Sequence, residues 1–201
     1  TARILTLLFS TILLGTAYKI LSDTWGIACA LAGALLIFLL FSALVLPRQA
    51  ATSEQETGAA DSPDMSLTYT PSDLYQMAEQ YGEQGRAAYI RARFTFDLVW
   101  PLVYTLFLTT ALSWLFARGF AADSRWQRAN LAPLLGALFD YLENLSTSLV
   151  MWRYPAQTAV VDLLAPAFTL LKWVFVGGSF ALVLIGLAAA LWRWLRRRPT
   201  T

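Results

Sequence analysis

Five apolar runs, at residues 4–21, 26–46, 98–117, 131–152 and 163–192, each approach or exceed the ~20 residues that a helix needs to cross a bilayer. Lipid offers backbone amides no water to bond, so such runs are read as helices that satisfy their own hydrogen bonds. With 57% hydrophobic residues, 14% charged residues and a mean hydropathy of +0.52, the chain is too apolar for an ordinary soluble domain. The expected fold class is an all-α integral membrane protein: a bundle of five transmembrane helices, four if the first segment is only an anchor, plus one amphipathic interfacial helix. Arg3, the apolar stretch and Gly15-Thr16-Ala17 resemble a secretory signal. Thr1 fits loss of an initiator methionine, so the run is expected to be retained as an anchor or a span.

Charge and side-chain chemistry exclude several classes. A net charge of +2 gives no excess suited to nucleic acid, and no nucleic-acid partner is expected. The single Cys29 cannot close an intramolecular disulfide, and the absence of histidine removes the commonest metal ligand and the usual general base. Zinc hydrolase, haem and Ser-His triad readings fall away; no metal, cofactor or catalytic set is expected.

Residues 1–46 read as an N-terminal transmembrane hairpin, turned at Ser22-Asp23-Thr24. Gly26, Ala30 and Ala34 form a small-xxx-small stripe on its second helix. Pro47 is expected to end the hairpin. Residues 47–69 are small, polar and acidic without apolar period, and read as a flexible linker without chemistry. Residues 70–85 read as an amphipathic helix: Thr70 caps, Pro71 takes the first position, and Leu74, Met77, Ala78 and Tyr81 make one apolar stripe. Gly82 and Gly85 allow a turn before Arg86 opens a three-helix transmembrane region, 86–201, with a basic tail.

Lys19, Arg118, Arg125, Arg128, Arg193 and Arg196 to Arg198 fall on one side of these spans; Arg3, Arg48, Arg86, Arg91, Arg93 and Arg153 fall on the other. The positive-inside rule puts the basic loop 118–128 and the C-terminal tail in the cytoplasm and the linker outside, in a bacterial plasma membrane. Trp25, Trp114, Trp126, Trp152, Trp192 and Trp194 lie near the span ends, as an aromatic belt requires.

Two helices open with Asp-Leu-x-x-Pro, at Asp97 and at Asp162. Each proline frees the carbonyl four residues earlier, so both aspartates are expected at one depth near the outer boundary, with Arg93 and Arg153 as cationic partners. Measured from that boundary at ~1.5 Å per residue, Asp140, Glu143 and Lys172 come to one layer roughly 13 to 18 Å deep. Asp140, Glu143 and Asn144 stand at i, i+3 and i+4, so they share one helix face, which Thr147 extends. An ionisable group at a helix centre costs at least ~2.5 to 3.5 kcal/mol on insertion scales, so this face must meet protein, water or ligand. Lys172 is expected to pair with Glu143 or Asp140, leaving one acid unmatched.

The run "YGEQGRAAYIRARFTFDLVWPLVYTLF", with "FDYLENLS" and "FTLLKW" after it, resembles a pattern in small bacterial polytopic membrane proteins of uncharacterised function. The resemblance covers the last two thirds of the chain and implies no activity. Its signature-like residues are Gly85, Arg86, Tyr89, Asp97, Pro101, Tyr104, Asp140, Glu143, Asn144 and Lys172. The function expected is a noncatalytic accessory subunit of a larger membrane complex, with membrane lipids and other subunits as partners. Two alternatives stand beside it. One is a lipid- or quinone-binding protein with Tyr89, Trp100, Tyr104 and Trp173 as walls; the other is a membrane enzyme or proton-coupled carrier using Asp140 and Glu143.

Overall fold

The computed structural model describes residues 24–58 and 62–196. The first apolar run, most of the hairpin turn, Arg3, Lys19, Arg197 and Arg198 lie outside the described residues. Among the described residues all regular structure is helical. Helix α1 (Thr24–Leu40) passes through a π turn (Phe41–Val45) into α2 (Leu46–Thr57), and a short 3-10 turn (Pro63–Met65) leads to α3 (Pro71–Arg93). Helix α4 (Phe96–Gly119), a second 3-10 turn (Arg125–Leu131), α5 (Ala132–Arg153) and α6 (Val161–Arg196) complete the order.

Three helical segments are long and apolar enough to cross a membrane: Gly26–Thr57, Pro71–Gly119, which holds α3 and α4, and Val161–Arg196. The run 131–152 forms α5 but is not among them, because Asp140, Glu143 and Asn144 dilute its apolar character. Those residues are all buried. Helix α5 hides its polar face against α6 and α4 while Leu134, Leu138 and Leu145 point outward, the inverse of an amphipathic helix in water.

Pro47 does not end a helix. It lacks the N–H that would bond four residues back, and the chain widens by one residue just before it: the Leu46 N–H reaches the Phe41 carbonyl, five residues back. Helix then continues to Thr57, through the segment expected to be a flexible linker. Ala50, Ala51, Glu54 and Gln55 are good helix formers, and Gly58, at φ 69°, closes the helix with its N–H on the Glu54 carbonyl. Helix α2 packs on α3 at Gly85, where a Cβ would stand 3.2 Å from Thr57 Cα and 3.3 Å from the Glu56 carbonyl.

Helix α3 begins with a reciprocal cap: Thr70 Oγ1 accepts from the Asp73 N–H at 3.2 Å, and the Thr70 N–H donates to Asp73 Oδ2 at 2.8 Å. Gly82, at φ 62°, bends it, but helix resumes at once and runs to Arg93. The amphipathic helix is therefore longer than residues 70–85, and the next helix opens at Phe96, not Arg86. Leu74, Ala78, Tyr81 and Tyr89 join Val150 and Met151 of α5 and Ala165 of α6 in one apolar core. A second core, Leu112, Leu115 and Phe116, lies toward the other end of α4, packed on Leu182, Val183 and Ala190 of α6.

Candidate functional site

Between the two apolar cores lies a buried polar cluster. Lys172 Nζ on α6 stands 2.5 Å from Glu143 Oε2 on α5, and neither is open to solvent: Lys172 is 6% exposed and Glu143 0%. The other carboxylate oxygen is also held. Thr169 donates to Glu143 Oε1 at 2.9 Å, and Tyr69, 3.0 Å from Thr169 Oγ1, donates to Thr169 in turn. One helix turn along α5, Thr147 donates to the Glu143 carbonyl at 2.9 Å and accepts from Tyr89 at 3.2 Å. Glu143 is thus a closed element, with a cation on one oxygen and a hydroxyl relay on the other.

Arg93 forms a second ion-paired element. Its Nη1 lies 2.9 Å from Asp64 Oδ2 and 3.0 Å from Asp97 Oδ2, and its guanidinium sits 4.5 Å from the Tyr89 ring centroid. Asp97 and Arg93 meet because they are i and i+4 across the turn from α3 to α4. Lys172 also donates to the Asp64 main-chain carbonyl at 3.2 Å, so Asp64 joins the two cations. Burial opposes ionisation of Asp64, but the neighbouring Arg93 and Lys172 charges and a hydrogen bond from Ser62 outweigh it, and its carboxyl is held down at about 2.

Asp140 differs from both. It is 8% exposed and accepts from the Tyr104 hydroxyl at 2.9 Å and from Asn144 Nδ2 at 3.1 Å. Among the described residues no cation lies within ion-pair distance of it; Tyr104 and Asn144 are both neutral. Four carboxyl groups, Asp64, Asp97, Asp140 and Glu143, therefore share two cations, Arg93 and Lys172. The surplus opens onto space. A cavity of about 210 Å³ is lined by Asp64, Arg93, Asp97, Asp140 and Lys172 on its polar side, and by Phe38, Trp100, Trp173 and Phe180 on its apolar side. Phe38 from α1 closes the wall by stacking on Trp100 and Phe107 at centroid distances of 5.8 and 4.7 Å.

The structure brings Asp97, Arg93, Asp140, Glu143, Asn144 and Lys172 together and leaves Asp162 out. Asp162 accepts from Tyr75 at 3.1 Å on the far side of the first core, and Arg153 is exposed without an ion pair among the described residues. The shared Asp-Leu-x-x-Pro pattern does not put the two aspartates at one level: Asp97 lines the cavity with Lys172, ten residues beyond Asp162. The segment between α2 and α3, read as free of chemistry, supplies Asp64 and Tyr69. Of the expected walls, Trp100, Tyr104 and Trp173 line the cavity, while Tyr89 lies behind it beneath Arg93. Among the described residues no group of three or more His, Cys, Asp or Glu is placed to hold a metal ion.

What this arrangement can do chemically is accept hydrogen bonds or positive charge. Asp97 and Asp140 face the cavity as acceptors, the Arg93 Nε–H and the Trp173 indole N–H are buried donors without an acceptor among the described residues, and the aromatic wall suits an apolar body. The chain matches no family model, and no curated protein or solved structure is significantly similar to it.

Proposed function

We propose that the protein is an integral membrane protein that binds an amphipathic molecule, with a hydroxyl- or amine-bearing headgroup set against Asp97 and Asp140 and an apolar portion against Phe38, Trp100, Trp173 and Phe180. The observation that carries this reading is the imbalance at the cavity: two cations for four carboxyl groups, with Asp140, which has no ion pair among the described residues, on the open side. Asp140 is held by neutral donors alone, Tyr104 and Asn144, and hydrogen bonds to charged groups are worth ~1.5 to 3 kcal/mol, so a ligand that brings a cation or a further donor strengthens what the protein holds weakly.

The proposed membrane arrangement has five spans, the run 4–21 with α1, α4, α5 and α6, and sets the first half of α3 at the interface against α5. Asp97 and Arg118 are 21 residues apart on α4, as are Lys172 and Arg193 on α6. That is about 32 Å of helix, against ~30 Å of hydrocarbon. The acid-rich layer then stands at one hydrocarbon boundary and the arginines at the other, nearer the surface than the 13 to 18 Å expected from sequence. The basic end is the cytoplasmic one by the positive-inside rule. A site at this level can be reached by a lipid headgroup from its own leaflet.

Native mass spectrometry of the protein extracted in mild detergent tests the assignment. The wild type should carry an amphiphile that Asp140→Asn and Trp173→Ala each release. A wild type that flies without any bound small molecule, from extracts that preserve lipid contacts, contradicts it. The accessory-subunit role is a separate proposal, supported by no feature of the cavity. It requires a stable protein partner in the same extract.

A further inference from the structure

At the other end of α4 and α6 lies a wider groove of about 830 Å³, lined by Trp114, Arg118, Phe120, Leu187, Arg193 and Trp194 among others, with two arginines and no acid. We propose that this groove binds the phosphate of an anionic phospholipid, with Leu187 and Leu191 leading its acyl chains down the outer face of α6. The inference rests on the membrane reading and is independent of what fills the inner cavity.

The groove is built on a close helix crossing. A Cβ on Gly119 would stand 3.0 Å from Ala189 Cβ and 3.2 Å from the Ala190 nitrogen, and one on Gly186 would stand 2.6 Å from the Phe116 ring. Glycine at both positions lets the helices touch, which brings their arginines to one site. Arg118 Nη1 donates to the Trp114 carbonyl at 3.2 Å, with the guanidinium 3.9 Å from the Trp114 ring centroid. Arg193 Nη1 reaches from α6 to the Phe120 carbonyl at 2.9 Å.

These bonds also describe two ordinary helix-end arginines, so the question is whether capping exhausts them. The end of α4 is already served by others: the Phe120 N–H bonds the Phe116 carbonyl at 3.0 Å, and Gln127 Nε2 donates to the Phe116 and Ala121 carbonyls at 3.1 and 3.2 Å. Among the described residues each arginine makes one hydrogen bond with the five donors a guanidinium carries. The partial negative charge of a helix C-terminus, about half a unit, is smaller than the two full positive charges set over it. The Trp114 indole N–H is a further buried donor without a protein acceptor among the described residues. Preset, fork-shaped donors with spare capacity are what a phosphate diester recognises. Leu187 and Leu191, both more than half exposed, supply the apolar track that a free phosphate would not use.

The test uses the full chain in mild detergent, titrated with phosphatidylglycerol or phosphatidylcholine and read by native mass spectrometry. Arg118→Gln with Arg193→Gln should weaken phosphatidylglycerol retention about tenfold or more, as loss of charge-assisted hydrogen bonds implies, and weaken phosphatidylcholine, whose choline already offsets its phosphate charge, by less. Arg125→Gln with Arg128→Gln, outside the groove lining, should leave both unchanged. Inorganic phosphate should not displace the lipid. If the glutamine pair fails to fold, Arg118→Lys with Arg193→Lys keeps the charge but removes the fork, and should weaken retention severalfold. Equal retention of the two lipids by the wild type overturns the proposal. So does undiminished phosphatidylglycerol binding in the folded groove variant, or an equal loss in the Arg125 and Arg128 control.

Discussion

Asp97 and Arg118 stand near opposite ends of α4, Lys172 and Arg193 are equally far apart on α6, and the two levels treat charge in opposite ways. At the first level charged groups point inward: Arg93, Asp97, Asp140, Glu143 and Lys172 are all buried, and acids outnumber bases. At the second, Arg118 and Arg193 remain partly exposed, donate to main-chain carbonyls, with Arg118 also over the Trp114 ring, and line a groove without acids. A surface arginine can snorkel and keep its hydration. A buried acid cannot, so its environment must answer it. The difference teaches where charge carries information: Asp140 is held by neutral donors alone, whereas Arg118 and Arg193 each make one hydrogen bond among the described residues.

Removing the central cation is expected to have the largest effect. Lys172→Met leaves Glu143 buried without a counter-ion and should destabilise the detergent-solubilised protein by about 3 to 5 kcal/mol, read by chemical or thermal unfolding. At the other level the weak point is packing, not charge. Gly186→Ala drives a methyl into the fully buried Phe116 ring and should cost about 1 to 3 kcal/mol. A variant as stable as wild type would show that the α4–α6 crossing is looser than described.

Asp64 gives the acid-rich level a pH signature. Its folded value of about 2 lies below the ordinary 3.8, so its contribution is fully present above about 4 and is lost as pH falls toward 2. The size is about 2 kcal/mol. Asp64→Asn should flatten stability across that window, while Arg118→Gln, which touches no titrating acid, should leave it unchanged. The smallest expected change is at the cap of α3, where Thr70→Ala should cost about 1 kcal/mol without altering lipid retention at either level.

How much of this was legible in the sequence depends on whether a residue sits in a periodic segment. Asp140, Glu143 and Asn144 declare one face by their spacing, and Arg93 with Asp97 declares a pair by i, i+4, so most of the cluster could be read from helix geometry. Asp64 and Tyr69 could not be. They lie in an aperiodic polar stretch whose acids resemble solvated linker charges until Lys172 is seen on the Asp64 carbonyl. Pro47 misled because a proline's missing donor is a local rule that a π turn can satisfy, and the alanine- and glutamate-rich sequence after it carried the overlooked helix signal. The repeated Asp-Leu-x-x-Pro misled differently: a local motif frees one carbonyl, but level is fixed by where the helix packs. Asp162 stands by Tyr75 at the first core, ten residues before the Lys172 of the cavity.

The division of the acid-rich level into a closed Lys172–Glu143 pair and an open Asp140 is the centre of the account, and a double-mutant cycle measures it most directly. Unfolding free energies would be taken in one detergent for Lys172→Met, Glu143→Gln, Asp140→Asn and the two doubles that contain Lys172→Met. Lys172 and Glu143 should couple by more than about 1 kcal/mol, so that Glu143→Gln recovers much of the loss caused by Lys172→Met, whereas Asp140→Asn should add nearly independently. Strong coupling to Asp140 with none to Glu143 would contradict the account, because the acid assigned to the cavity would then be the one the lysine already holds.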